Sequence, residues 1–172
     1  MTALSRPQPE EIAAYYHGYV AQCPEPDLLS ALRGAERVVR DLHAGIPEAR
    51  GDHRYAEGKW SIKEVLQHMI DCERVFAYRA LSFARNDGIE LPGFDENQWA
   101  PAAEAGRRSL AELKSEQESV KASTLLLFSS FTDEMLLRMG RANGNPFSVR
   151  SLGWAIAGHD RHHAAVIKQR YL

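Results

Sequence analysis

His159, His162 and His163 fall within five residues in GHDRHHAAVIKQRYL, in a chain that has seven histidines in all. An imidazole can hold a divalent metal, exchange a proton near neutral pH, or sit neutral in a core on hydrogen bonds. Spacing separates the three. Val149, Leu152, Ile156, His159, His163, Val166 and Arg170 step by three and four residues, the period of one helix face. His159 and His163 therefore share an apolar stripe one turn apart and can converge. His162 lies about 100° around the helix from His163 and points elsewhere. Two imidazoles in a seam need several hydrogen-bond partners. They find carboxylates or water, or they share a divalent ion, and zinc, nickel, copper and iron all suit imidazole.

A catalytic metal usually takes at least a third protein ligand. His68 is the strongest candidate, because Val65, His68, Cys72 and Val75 also step by three and four. Cys72 is either a fourth ligand or a small core residue. Asp71 and Asp160 either hold ligand N–H groups or are exposed helix charges. His17 and His43 lie near helix ends and His53 in a loop, so they are less well placed.

The elements that must position these side chains are helical nearly throughout. A short helix is expected over about 9–21, opened by Pro9. A second covers about 27–45, with Asp27 as N-cap and Gly45 and Pro47 as stops. The third starts at WSIKEV, where Ser61 and Glu64 form a capping box and Trp60 and Val65 a hydrophobic staple. It runs to about Arg85 and ends at Asn86-Asp87-Gly88. The connection 86–108 is long for a bundle and carries Phe94 and Trp99, so it is expected to pack over something. A helix over about 109–129, with a turn extending through 132–139, leads to RANGNPF, read as a turn with no strand on either side. The last helix is capped by Ser148 and runs to about Arg170. Setting the N-terminal piece aside, this is an all-α four-helix bundle with a short extra N-terminal helix, one domain over 1–172.

Composition excludes several classes. Lys and Arg number 21 against 23 Asp and Glu, a net charge of −2, which gives no basic patch for a nucleic-acid partner. Two cysteines make no disulfide framework. No run of about 18 apolar residues marks a membrane span, and MTALSRPQPEE lacks the apolar region of a signal peptide, so the chain is read as cytoplasmic. Arg-Gly-Asp at 50–52 matches a cell-adhesion tripeptide, and chance explains it in such a chain.

GKWSIKEVLQHMIDCERVFAYR, LPGFDENQW and SVRSLGWAIAGHDRHHAAVIKQRYL together resemble the DinB-like superfamily, near its YfiT-like members, over about residues 25–172. The DNA polymerase that shares the label is a different protein. The resemblance implies a bundle holding a divalent metal on three histidines, one from the second bundle helix and two from the last. Those positions fall on His68, His159 and His163, and His162 is not a ligand in that pattern. Many members have Arg-Gly-Gln after the last histidine, where this chain has Ala164-Ala165-Val166, so contacts made there differ. Many members form homodimers, which implies one here.

Three neutral histidines leave the metal charge uncompensated and positions open; zinc or nickel suits such a site. Bound water can then lose a proton near pH ~7 instead of ~15.7, or a small thiol can bind as thiolate. Members of the resembled family include S-transferases that use bacillithiol or mycothiol, a mycothiol-dependent isomerase, and proteins described as metal-dependent hydrolases. The resemblance thus favours transfer of a low-molecular-weight thiol to a small-molecule electrophile in detoxification or stress response. Hydrolysis by metal-bound hydroxide is the alternative, and a non-enzymatic metal-binding stress protein is a third reading. In the transfer reading the 86–108 loop covers the site. Asp95, Glu96 and Asn97 are candidates for substrate contacts, or for a turn or cap.

Overall fold

Each long helix of this chain opens on a side chain that accepts an otherwise unpaired first-turn amide. Asp27 accepts from Ser30, Ser61 from Glu64, Ser109 from Glu112 and Ser148 from Ser151. At Ser61 the box is reciprocal: the Glu64 carboxylate takes the Ser61 N–H at 2.6 Å. Each such cap stabilises its helix by about 1 kcal/mol. A computed structural model describes residues 3–86 and 88–172. Within them lie α1 (His17–Ala21), α2 (Leu28–Gly45), α3 (Ile62–Arg85), α4 (Glu96–Ala102), α5 (Leu110–Ser129), α6 (Asp133–Leu137) and α7 (Val149–Arg170). Asp87, part of the expected Asn86-Asp87-Gly88 stop, lies outside the described residues. α7 packs on α2 and α3, and α5 packs on the same two helices, which is the expected four-helix bundle. Among the described residues no helix is long and apolar enough to cross a membrane.

α7 departs from the expected single stripe. Every residue from Val149 to Asp160 is buried, because residues 3–21 cover the outer face of the helix. Trp154 Nε1 donates to the Ser5 carbonyl at 3.2 Å, and the Glu11 carboxylate receives Ser148 Oγ at 2.8 Å and Arg150 Nε at 2.7 Å. Further on, the core positions are Ala164, Ile167 and Tyr171, while Arg170 is exposed. The N-terminal piece is not the continuous helix expected over 9–21. Two 3-10 turns, Pro9–Glu11 and Ala14–Tyr16, precede α1. They are separated because Ile12 turns extended, with φ −152° and ψ 142°, to bridge Phe147.

Gly158 makes the docking of α1 possible. A Cβ there would stand 2.1 Å from the Tyr19 carbonyl oxygen, so the two backbones would have to part. Gly158→Ala is expected to cost about 1–3 kcal/mol and to lower the melting temperature by about 2–12 °C. Thermal unfolding checks this, and an unchanged midpoint would contradict it.

A small sheet corrects the expectation of no strands. β1 (Glu90–Leu91), β2 (Met139–Ala142) and β3 (Asn145–Ser148) lie in that order. β2 and β3 are antiparallel with Met139 opposite Ser148, and β1 runs parallel to β2. RANGNPF is a hairpin, not a bare turn. Asn143 and Gly144 have φ of 51° and 72°, the two left-handed positions of a primed two-residue turn. Gly140, Ala142, Phe147 and Ser148 are its buried residues, and strands this short do not announce a period. The sheet ties the 86–108 connection to the bundle, and α4 closes part of it, with Asp95 as its N-cap.

Candidate metal centre

α3 carries His68 and α7 carries His159 and His163, and the bundle brings the three rings together. The Nε2 atom of His159 stands 3.1 Å from Nε2 of His68 and 3.0 Å from Nε2 of His163. Ring centroids lie 4.4–5.0 Å apart. These contacts cannot both be good hydrogen bonds. If His159 Nε2 carries a proton it donates to one neighbour; if it does not, two donors compete for one lone pair. Two Nε2 atoms standing this close to a third suit a shared cation instead. With metal–nitrogen bonds of about 2.0–2.1 Å, ligand nitrogens lie about 3.3 Å apart in a tetrahedron and about 2.9 Å apart across a right angle. The observed separations fall in that interval, so the residues fit a divalent ion.

Protonation favours the same use. Burial holds the His68 imidazole at about 4 and, with His68 and His162 nearby, His163 at about 3. His159 lies well below the ordinary histidine range through burial and the neighbouring histidines. All three are neutral at pH 7 and offer lone pairs. A histidine in the unfolded chain titrates near 6.5, so below that pH the unfolded state binds protons that the native state refuses. For the metal-free protein the stability from this source is complete above pH 6.5. It is lost as pH falls toward about 4, by up to about 1.4 kcal/mol per pH unit for each histidine. Urea unfolding between pH 7.5 and 4.5 should show this slope, and His68→Gln should flatten it. An equal slope in the variant would contradict the assignment.

Cys72 is drawn to the same place. Its Sγ lies 3.6 Å from Nδ1 and 3.7 Å from Nε2 of His68, and it groups with ring nitrogens of His68 and His159 within 4.8 Å. Standing about equally far from both His68 nitrogens, it packs beside that ring, and the group it forms with His68 and His159 does not include His163. Burial, reinforced by Asp71 and Glu96, pushes its thiol up, so it stays protonated.

Asp71 accepts from Gln67 Nε2 at 2.9 Å, and Asp160 pairs with Lys121; both are buried or half-buried instead of being exposed charges. His17 Nε2 approaches the Pro9 carbonyl, His43 meets Gln117 Oε1 at 2.8 Å, and His53 lies near the Tyr171 ring. None of these three joins the cluster.

The cluster lines a cavity of about 270 Å³. Trp60, the staple residue, covers His68 with ring centroids 4.9 Å apart. Phe94, Glu96 and Asn97 from the long connection form one wall, and Tyr15, Tyr16 and Tyr19 form the other. The expected cover is thus present, but Trp99 is not part of this wall: it stacks on Phe94 at 4.7 Å and is 43% exposed. His162, set aside by helix phase, also lines the cavity and meets the Tyr19 ring at 5.1 Å. Helical periodicity does not place the tyrosine wall, because it assigns the N-terminal piece no partner in the bundle. The signal for it was YYHGY itself, three tyrosines within five residues.

Comparison with known proteins agrees with this architecture. A protein named "Putative metal-dependent hydrolase" from Geobacillus kaustophilus is 24% identical over 141 residues, covering 81% of this chain and 79% of that one. One of the same description from Oceanobacillus iheyensis is 29% identical over 117 residues, covering 66% of each. Among solved structures, YfiT from Bacillus subtilis, titled a "probable metal-dependent hydrolase with an unusual four-helix bundle topology", superposes with a TM-score of 0.74 at 14% identity. The match covers 96% of this chain and 91% of YfiT. The family model of the DinB superfamily matches residues 31–167, a span that holds His68, His159 and His163, and the chain belongs to the DinB superfamily.

Proposed function

We propose that this chain is a metal-dependent enzyme in which His68, His159 and His163 hold a divalent ion, zinc or nickel, and that it transfers a low-molecular-weight thiol to a small electrophile. The ligand assignment is supported by the convergence of three neutral Nε2 atoms. The transfer reading rests on one observation: among the described residues the histidine cavity adjoins two further clefts of comparable size. One, of about 290 Å³, shares Trp60, Asn97, His162 and His163 with it and extends to Tyr55, Lys59 and Tyr171. The other, of about 390 Å³, shares Tyr15, Tyr16, Phe94 and Glu96 and extends to Arg79, Asn143 and Asn145. A site midway between two chambers accommodates a thiol and an electrophile, whereas hydrolysis asks for one substrate and water.

A bound divalent ion supplies Lewis acidity, which lowers the pKa of the thiol or water that it takes up. The three imidazoles contribute lone pairs and no charge, so the attraction for an anionic nucleophile is not neutralised by the protein. Trp60 and Phe94 limit the approach of solvent, and Asn97 offers an amide to a polar group of the substrate. Cys72, held protonated, is not the nucleophile.

Hydrolysis is the second reading, favoured by the names of the similar bacterial proteins. Protein loaded with zinc or nickel, incubated with 1-chloro-2,4-dinitrobenzene and a panel of small thiols, separates the two. Turnover that requires a thiol and falls in His163→Ala supports transfer. Turnover of an ester or amide panel without thiol supports hydrolysis and overturns it.

A further inference from the structure

Arg79 is a cation buried without a counter-ion. It is 5% exposed, on the face of α3 toward the larger flanking chamber. Its Nη2 donates to the Pro92 carbonyl at 2.9 Å, and its guanidinium lies 6.0 Å from the Phe76 ring and 5.6 Å from the Phe94 ring. No carboxylate pairs with it among the described residues. Among the described residues the other buried cations are matched: Lys63 by Asp52, Lys121 by Glu73 and Asp160, and Arg150 by Glu11. An arginine this buried is almost always paired, because a lone buried charge is costly. Ring faces and one carbonyl use part of a fork that has five N–H donors.

The chamber that Arg79 lines supplies the missing partner's place. Asn143 and Asn145, held there by the β2–β3 hairpin, add amide groups to its wall. The single carboxylate on that wall is Glu96, which is exposed and borders the histidine cavity as well. Electrostatically it acts on His68, Cys72 and Tyr16, and it is not among the charges felt by Arg79.

We propose that Arg79 is the anchor of an oxyanion subsite that receives a carboxylate of the small-molecule substrate, orienting the rest of that molecule past Phe94 toward the three histidines. The assignment of this chamber to the substrate rests on the enzyme reading above. The anion, however, is held by Arg79 and not by the metal, so the two fail separately. A planar guanidinium fork matches a carboxylate through two parallel hydrogen bonds, and a phosphate offers the same oxygens. The test must therefore distinguish these.

Succinate, succinamide and inorganic phosphate are titrated into the zinc-loaded protein by calorimetry. Succinate is expected to bind saturably, succinamide not at all, and phosphate more weakly than succinate. Arg79→Gln, checked for folding by circular dichroism, should weaken succinate by about tenfold or more. Asn145→Asp, at the exposed start of β3 and checked for folding in the same way, should weaken it as well by placing a negative charge on the chamber wall. His159→Ala should still bind succinate, which keeps this test independent of the metal assignment. Equal affinity in Asn145→Asp and in folded Arg79→Gln overturns the subsite. Loss of succinate in His159→Ala also overturns it, since that result puts the anion on the metal, and tighter binding of phosphate overturns the choice of a carboxylate.

Discussion

His159→Ala is expected to weaken zinc binding by more than about 100-fold and to abolish metal-dependent turnover. Losing a residue that only orients a ligand typically costs 10–100-fold in affinity, and His159 is a proposed ligand itself. Its Nε2 is the atom that stands within 3.1 Å of both other rings, so its removal opens the cluster at the centre. The ring is also 6% exposed, and a solvent molecule replaces it poorly. His162→Ala is the matched control. It removes a histidine three residues away that lines the same cavity, and it should leave affinity within a few-fold. Competition of each variant against a zinc chelator measures the difference. Equal losses at His159 and His162 would contradict the assignment of ligands.

Lys121→Met is expected to destabilise the fold by about 3–5 kcal/mol, a fall of about 6–20 °C in melting temperature. Lys121 on α5 has 5% side-chain exposure and bonds Glu73 Oε2 of α3 at 2.5 Å and the Asp160 carboxylate of α7. Removing the lysine leaves two carboxylates facing each other in the bundle interior. Burial beside Glu73 already raises the Asp160 carboxyl to about 7, against the pull of Lys121. A carboxyl raised in the fold adds stability below its unfolded pKa and gives it up as pH rises through the folded value. The loss in Lys121→Met should therefore be larger at pH 8.5 than at pH 5.5. Adding Glu73→Gln and Asp160→Asn should recover part of it. A single-variant loss under about 0.5 kcal/mol would contradict the account. The triad matters to the site because Glu73 adjoins Cys72 and Asp160 adjoins His159, so it clamps together the two helices that bear the histidines.

What could be read from the chain follows from how local each signal is. The capping box at Ser61 and Glu64 lies within four residues and marked the start of α3 correctly. The i, i+4 spacing of His159 and His163 depends on one helix, and the phase of His68 on another, so their convergence needed only that both faces point inward. The hairpin was hidden because its strands are four residues long, shorter than a readable period. The tyrosine wall and the burial of α7 on all sides depend on residues 3–21 folding back over a helix more than a hundred positions away. Apart from YYHGY nothing local announces this, although Gly158 on α7 leaves room for the Tyr19 backbone to approach. Lys121, Glu73 and Asp160 each resemble an ordinary helix charge, and only their meeting in the interior makes them a triad.

The central claim is that three imidazoles, and not Cys72, hold the ion. X-ray absorption at the zinc edge of the loaded protein tests it most directly. The account predicts a shell of nitrogen and oxygen at about 2.0–2.1 Å, outer scattering from three imidazole rings, and no sulfur. A sulfur shell at about 2.3 Å, or scattering from fewer than three imidazoles, would contradict it.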